Sequence, residues 1–258
     1  SNSDMLPKVT REQQKDLHLV TQSTPNGKKV QIALEELKAL YGTEFSFEVI
    51  DITTNIQKED WFLKLNPNGR IPVLVDNKAG SGSNDPFSVM ESAACLLYLA
   101  KKADKNDEFG FKDELERNEC LQWLFWQMGG QGPMQGQANH FHVYAKEKIP
   151  YAIDRYINET LRLMQVIEAQ LSGQFSGREK DYLAGNGRGK YSWADMAAYP
   201  WAIIASYSGV PKEELEKLTH LNKWIARIKA RPAVQEGCGT KYGGIDREKV
   251  KSMFASKQ

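Results

Sequence analysis

The first fifty residues alternate between short apolar runs and one stretch of helical periodicity. Residues 17–21 (LHLVT) form a short apolar run that ends at a cluster of turn-forming residues, a pattern that predicts a strand. From Lys28 the apolar positions follow i, i+3, i+4 and i+7 spacing, which predicts an amphipathic helix ending near Gly42. Residues 45–51 alternate apolar and polar side chains and predict a second strand. Because a helical crossover of this length usually joins parallel strands, the opening unit is predicted to be βαβ.

The next fifty residues predict one short helix, two strands and a longer helix. Residues 58–65 favour the short helix, and residues 71–76 favour a strand with a proline near its start. Proline has no N–H for the ladder, so it is tolerated only at the first residue or at the edge of a strand. Residues 77–86 predict a flexible connection, 87–90 a returning strand, and 91–102 a helix with an apolar stripe.

Beyond Asp104 the chain changes character, because charged residues interrupt the pattern and each later periodic segment is helical. Helices are predicted over residues 114–128, 149–171, 192–207 and 218–229, and the glycine pair 129–130 predicts a bend. The predicted organisation is a polar leader at 1–16, an α/β domain at 17–103, a linker at 104–112, an all-helical domain at 113–236 and a C-terminal tail without clear period at 237–258. The fold class is therefore α/β followed by all-α.

Composition and charge exclude several classes of protein. Of the 258 residues, 41% are hydrophobic and 26% are charged, which is typical of a folded globular chain rather than a disordered or fibrous one. The 34 lysines and arginines nearly balance the 33 acidic residues, so a net charge of +1 gives no broad attraction to a phosphate backbone or an anionic membrane. We expect neither nucleic acid nor a membrane as a partner.

The apolar runs and the cysteines bear on the compartment. The longest apolar run covers residues 93–100, whereas a bilayer span needs about 18–20 residues, and the N-terminus lacks the apolar stretch of a secretory signal. The three cysteines have no C-x-x-C spacing, which favours a reducing compartment over a disulfide scaffold. The sequence therefore predicts a cytoplasmic protein.

Several motifs resemble the cytosolic glutathione transferases. Residues 66–74 (NPNGRIPVL) resemble that family's N-P-x-G-x-(I/V)-P-x-L segment, Glu91-Ser92 resembles its glutathione-anchoring pair, and residues 192–195 (SWAD) resemble its C-domain capping box. The run at 121–137 (LQWLFWQMGGQGPMQGQ), with shorter matches at 24–27 (TPNG) and 150–156 (PYAIDRY), is similar to the bacterial nu class and to fungal proteins related to the yeast nitrogen regulator. The resemblance implies a thioredoxin-like glutathione-binding domain, a helical domain and a homodimer.

The turn at Thr24 and Asn26 is the candidate catalytic site. Only the thiolate of glutathione is a good nucleophile, and an unperturbed thiol has a pKa of about 8.5. A helix N-terminus favours an anion, and the Thr24 hydroxyl and the Asn26 amide can donate hydrogen bonds to sulfur. The alternative is that both residues merely form the turn and the helix cap, as these residue types often do.

The resemblance also implies a set of glutathione-binding residues. The bond between Ile71 and Pro72 is expected to be cis, so that the backbone of Ile71 pairs with the cysteinyl part of glutathione. Glu91 is expected to bind the γ-glutamyl ammonium and Ser92 its carboxylate; the alternative is a plain helix N-terminus. The resemblance further assigns Gln57 to a glutathione-contacting segment and Arg155 to a glutathione carboxylate.

Three functions remain open at this point. Without a C-x-x-C pair, disulfide chemistry must run through glutathione thiols, and the nu class implies reduction of small disulfides with glutathione as co-substrate. The alternatives are conjugation of glutathione to electrophiles and a non-enzymatic, nitrogen-regulator-like binding role. We expect no metal, because the pair His140 and His142 has no carboxylate or cysteine at ligand spacing.

Overall fold

The chain forms two compact units in a computed structural model that describes residues 7–79 and 86–255. The first unit holds the described residues up to 103 together with 233–246, and the second holds 104–232 together with 247–255. None of the helices in these described ranges is both long enough and apolar enough to cross a bilayer.

The first unit is built on a four-stranded mixed sheet. Its elements are β1 (Leu17–Thr21), α1 (Pro25–Tyr41), β2 (Phe45–Val49), α2 (Asp60–Leu65), β3 (Val73–Asp76), β4 (Phe87–Val89) and α3 (Ser92–Lys102). The strand order is β2-β1-β3-β4; β1 is parallel to β2 and antiparallel to β3, and β3 is antiparallel to β4. The predicted βαβ and ββα halves are therefore confirmed, and they form a thioredoxin-like domain. The predicted connection at 77–86 falls mainly on residues 80–85, which lie outside the described residues.

The core of this unit covers both faces of the sheet. Every residue of β1 is buried, as expected of a strand that is covered on both sides. On one face Val20 packs in an apolar cluster with Ile56 and Phe62. Successive side chains of a strand point to opposite faces, so Leu19, which is fully buried, lies on the other face. Helices α1 and α3 contact each other and bury their apolar stripes.

The second unit is helical, as the sequence predicts. Its elements are α4 (Glu114–Trp126), α5 (Gly132–Ala138), α6 (Pro150–Ser172), α7 (Trp193–Ala202), α8 (Lys212–Glu216) and α9 (Thr219–Lys229). Helix α10 (Pro232–Gly237) follows and, apart from Pro232, belongs to the first unit, whereas α11 (Arg247–Ala255) belongs to the second. At the glycine pair, where the sequence predicts a bend, a π-helical turn over Gln127–Gln131 leads directly into α5. Helix α7 ends at Ala202, short of the predicted residue 207.

Three segments differ from their predicted roles as leader, linker and tail. Part of the leader lies along β2, where the Lys15 N–H donates to Ser46 Oγ at 2.8 Å. The linker belongs to the second unit because its aromatic side chains at Phe109 and Phe111 are buried. The tail is divided: Tyr242 is fully buried in the first unit, whereas α11 belongs to the second. A hydrogen bond holds the leader, and a few buried aromatic side chains hold the linker and the start of the tail. These contacts are too few to produce a period in the sequence.

Candidate functional site

The register of the sheet brings four predicted site segments to one end of it. Thr21 pairs with Val49 in the parallel ladder. In the antiparallel ladders, Val20 pairs with Val73 and Leu74 pairs with Val89. The chain therefore leaves β1, β2 and β4, and enters β3, at the same end of the sheet. Thr24, Gln57 and Glu91 lie in the segments that follow β1, β2 and β4, and Ile71 lies just before β3.

The turn at Thr24 is the N-terminal cap of α1. The helix begins at Pro25, three residues before the apolar period does, because Thr24 Oγ1 accepts a hydrogen bond from the Gly27 N–H at 2.9 Å. Thr24 and Asn26 are both half-buried, and the first turn (PNGK) carries a cation as its only ionisable side chain. The capping alternative is thus correct for Thr24. It does not exclude a second role, because the same hydroxyl can still donate a hydrogen bond.

A close backbone contact fixes the position of this turn. A Cβ on Gly27 would lie 2.0 Å from the Gln22 carbonyl oxygen and 2.7 Å from Thr21 Oγ1, so only glycine fits at this position. The first turn of α1 is thereby held against the end of β1.

The C-terminal segment also fixes the residues that precede the turn. The Ser23 N–H donates to the Gly243 carbonyl at 3.2 Å, and Gln22 Nε2 donates to the Gly244 carbonyl at 3.2 Å. The segment is anchored by Tyr242, whose hydroxyl donates to Glu35 Oε1 at 2.5 Å. Sequence reasoning missed these contacts, and no local signal in the tail could have found them.

The peptide bond between Ile71 and Pro72 is cis, as predicted. The preceding loop is held by Asn66, whose Nδ2 donates to the Arg70 carbonyl at 2.7 Å and whose Oδ1 accepts from the Asn68 N–H at 2.9 Å. Pro72 is buried and Ile71 is half-buried. Ile71 therefore stands at the entry to β3, at the same end of the sheet as the Thr24 turn.

Glu91 has an unusual backbone conformation at the start of α3. Its φ is +68° and its ψ is 117°, and a non-glycine residue in such a region costs about 1–3 kcal/mol. Its side chain is exposed, while Ser92, the first residue of α3, is buried. Strain of this kind is often retained at ligand sites, and it places the Glu91 side chain in solvent next to a buried hydroxyl.

Lys29 is a site-adjacent residue that the sequence analysis missed. Its side chain is fully buried, and Nζ donates to Ser92 Oγ at 3.1 Å. Burial lowers the pKa of the Lys29 ammonium to about 7, partly offset by the nearby charge of Glu91. One signal could have found it: Lys29 lies three and four residues before Ile32 and Ala33, on the buried side of α1.

The two remaining predicted residues are placed differently from the others. The side chain of Gln57 is buried and donates through Nε2 to the Ile52 carbonyl at 3.0 Å, so it holds its own loop. Arg155 lies on α6 in the second unit, where its side chain is exposed. A glutathione contact of either residue stays a prediction.

The thiols of the chain itself are poor nucleophiles. Burial raises the pKa of Cys95 to about 12 and that of Cys120 to about 11, and burial also raises the pKa of the half-buried Cys238. All three are therefore thiols rather than thiolates near neutral pH. Within residues 7–79 and 86–255, no three or more histidine, cysteine or acidic side chains are grouped to hold a metal ion.

Comparison with protein families identifies the class to which this fold and site belong. Residues 24–102 match the model of the glutathione S-transferase N-terminal domain, and residues 144–232 match that of the glutathione S-transferase C-terminal domain. The chain belongs to the glutathione S-transferase family. The first match begins at Thr24 itself.

Individual relatives place the chain more finely within the family. It is 38% identical over 210 residues to the disulfide-bond oxidoreductase YfcG of Escherichia coli (strain K12). This alignment covers 81% of this chain and 88% of that protein. A crystal structure of a glutathione transferase homologue from Lodderomyces elongisporus, with two GSH per subunit, superposes with a TM-score of 0.77 at 39% identity, covering 87% of this chain and 98% of that one. The structure of Ure2p in complex with glutathione gives a TM-score of 0.76 at 31% identity, covering 87% and 94%. The fungal, nitrogen-regulator-like kind of glutathione transferase is therefore supported.

Proposed function

We propose that this chain reduces small disulfides with glutathione as the thiol donor. The observation that carries the proposal is the state of its cysteines: the pKa values of Cys95 and Cys120 are raised to about 12 and about 11. A protein thiolate is therefore not the attacking group, and the nucleophile must come from the co-substrate. The similarity to a protein named as a disulfide-bond oxidoreductase supports the same reaction.

The reaction consists of two thiol–disulfide exchanges. The thiolate of one glutathione attacks a sulfur of the substrate disulfide, forms a mixed disulfide and releases one substrate thiolate, which takes up a proton. A second glutathione thiolate attacks the glutathione sulfur of the mixed disulfide, forms glutathione disulfide and releases the second substrate thiolate, which is also protonated. Two glutathiones are oxidised for each disulfide reduced. The similar structure with two GSH per subunit fits this stoichiometry.

The turn at the start of α1 would hold the reacting sulfur. The Thr24 hydroxyl and the Asn26 side-chain amide donate to the thiolate, and the positive end of the helix dipole stabilises its charge. The site contributes neutral donors rather than a base. It lowers the pKa of the bound thiol without supplying a proton acceptor, which suits exchange with a disulfide.

The remaining residues would orient the tripeptide. The backbone of Ile71 before the cis bond to Pro72 pairs with the cysteinyl residue, Glu91 binds the γ-glutamyl ammonium, and Ser92 binds its carboxylate. Arg155 binds a second carboxylate. Gln57, whose side chain holds its own loop through Nε2, contacts glutathione from that loop.

A comparison of two reactions tests the proposal. Initial rates are measured for glutathione-dependent reduction of hydroxyethyl disulfide and for conjugation of chlorodinitrobenzene. We expect reduction to be the faster reaction, and Thr24→Ala and Asn26→Ala each to lower its kcat/KM about 10²-fold, the size of loss that follows removal of one donor to a developing or bound anion. Conjugation that greatly exceeds reduction would overturn the proposal in favour of a conjugating transferase. Glutathione binding without either reaction would favour a non-enzymatic binding role.

We also propose a homodimer in a reducing compartment such as the cytoplasm. The family resemblance implies the dimer, and the three unpaired cysteines favour reducing conditions. Light scattering of the purified chain at micromolar concentration measures the assembly, and a monomer mass would contradict it.

A further inference from the structure

One buried side chain connects the two helix N-termini of the candidate site. Lys29 lies three residues after Asn26, in the second turn of α1, and Ser92 is the first residue of α3. The Lys29 side chain is 0% exposed, and its Nζ donates to Ser92 Oγ at 3.1 Å. A lysine is almost never fully buried unless it is paired, so this position indicates a specific role.

Two titratable groups that act on Lys29, Glu91 and Cys95, lie at the start of α3. Burial favours the neutral amine, whereas the carboxylate of Glu91 favours the ammonium. The thiol of Cys95 also faces Lys29, but burial raises its pKa to about 12, so it is uncharged near neutral pH. With the pKa of Lys29 near 7, both forms of the amine are populated at neutral pH.

The two forms of Lys29 act differently on the Ser92 hydroxyl. A neutral amine has a lone pair and can accept a hydrogen bond from the Ser92 hydroxyl. An ammonium has three donors and no acceptor, so it can only donate to Ser92 Oγ, which turns the hydroxyl proton toward another acceptor. A hydroxyl that accepts a bond from a cation is also a stronger donor.

We propose that Lys29 is a positioning residue that binds a proton when glutathione binds and thereby directs the Ser92 hydroxyl to the γ-glutamyl carboxylate. The inference rests on the proposed glutathione site. The bound carboxylate adds a negative charge beside Ser92, and this charge stabilises the ammonium form of Lys29. Affinity for glutathione is therefore coupled to the protonation of a side chain that does not itself contact the ligand.

Proton uptake on binding tests this coupling directly. S-methylglutathione is used as the probe, because its blocked sulfur removes the proton released by a thiol. Titration calorimetry at pH 7.5 in two buffers of different ionisation enthalpy gives the number of protons bound. We expect uptake of about half a proton per site or more in the wild type. Uptake should vanish in Lys29→Met, with Kd raised about tenfold, and persist in Lys28→Met, which removes the neighbouring lysine of the same helix.

A second variant keeps the test valid if Lys29→Met does not fold. Ser92→Ala retains the lysine but removes the hydroxyl that joins it to the carboxylate, so it should raise Kd and lower the proton uptake without abolishing it. Where both single variants fold, the double variant should bind no more than about threefold more weakly than either one, because both remove the same interaction. Wild-type binding without proton uptake, or additive losses in the double variant, would overturn the inference.

The outcomes also separate this inference from the proposed function. Proton uptake that depends on Lys29, in a protein that does not reduce disulfides, would support the coupling and contradict the reductase proposal. Brisk reductase activity without proton uptake would contradict the coupling and leave the reductase proposal standing.

Discussion

Two helix N-termini in this protein begin with the same kind of residue but differ in what satisfies them. Helix α1 is capped by Thr24 and α7 is preceded by Ser192, and both sequences predict a cap. At α7 the anion is part of the chain: Asp195 Oδ2 accepts from the Ser192 N–H at 2.9 Å, and Oδ1 accepts from Trp224 Nε1–H at 2.8 Å and from the Leu183 N–H at 3.1 Å. At α1 the first turn contains no carboxylate.

The difference separates a structural cap from a candidate ligand site. Asp195 is completely buried, and burial raises its pKa to about 6 even though three N–H groups donate to it. These hydrogen bonds to its carboxylate all come from residues of the helical unit. The start of α1 is only half-buried and is not neutralised by a side chain of its own, so an anionic ligand can supply the missing charge. The source of the anion distinguishes the two sites: it is a side chain of the protein at α7 and, in the proposed function, a ligand at α1. The cap motif does not distinguish them.

Removing the internal anion should have the largest effect. Asp195→Ala leaves three buried N–H donors without their acceptor, and each such group costs about 1–3 kcal/mol, so we expect the free energy of unfolding to fall by at least about 3 kcal/mol. Urea denaturation measures the loss. Asp154→Ala, an exposed aspartate on α6, is the matched control and should change stability by no more than about 0.5 kcal/mol. A loss as small as that of the control would mean that the α7 cap is not satisfied from within.

Moving the other N-terminus should affect activity more than stability. In Gly27→Ala the new methyl group would meet the Gln22 carbonyl, so the Thr24 turn must shift, at a cost of about 1–3 kcal/mol. We expect kcat/KM for disulfide reduction to fall at least tenfold. Gly42→Ala at the C-terminal end of the same helix is the control: its φ is +67° but its surroundings are open, so it costs about 1–2 kcal/mol and leaves kcat/KM unchanged. Equal activity losses in the two variants would contradict a special role of the α1 N-terminus.

Removing the cap of α1 should have the smallest effect on stability. Thr24→Ala loses the bond from the Gly27 N–H and should lower the free energy of unfolding by about 0.5–2 kcal/mol. Thr24→Ser retains the hydroxyl and should restore most of this loss. Thermal and urea unfolding of the three proteins measure it. A loss as large as that of Asp195→Ala would place Thr24 in the same structural class as the α7 cap.

Local pattern carried much of the fold and part of the site. Strand β1, the parallel crossover through α1 and the helical nature of the second unit follow from periods within a few residues, whereas the cis bond before Pro72 was implied by the family resemblance of its motif. The residues of the Thr24 turn and the Glu91-Ser92 pair were also found this way. The apolar period alone did not locate the start of α1 at Pro25, because a helical period records which face is buried and not where the cap forms.

The rest depended on contacts between residues that are far apart in the chain. The role of Lys29 becomes visible only when α3 brings Ser92 to it, 63 residues later. The contact of Ser23 with Gly243 and the bond between Glu35 and Tyr242, which are 207 residues apart, assign half of the apparent tail to the first unit. By itself, the sequence determined which segments form strands and helices and which residue types could stabilise a thiolate, because periodicity and capping act over one or two turns. Only the tertiary structure decided which buried groups share an environment, since burial and charge pairing depend on the packing of distant segments.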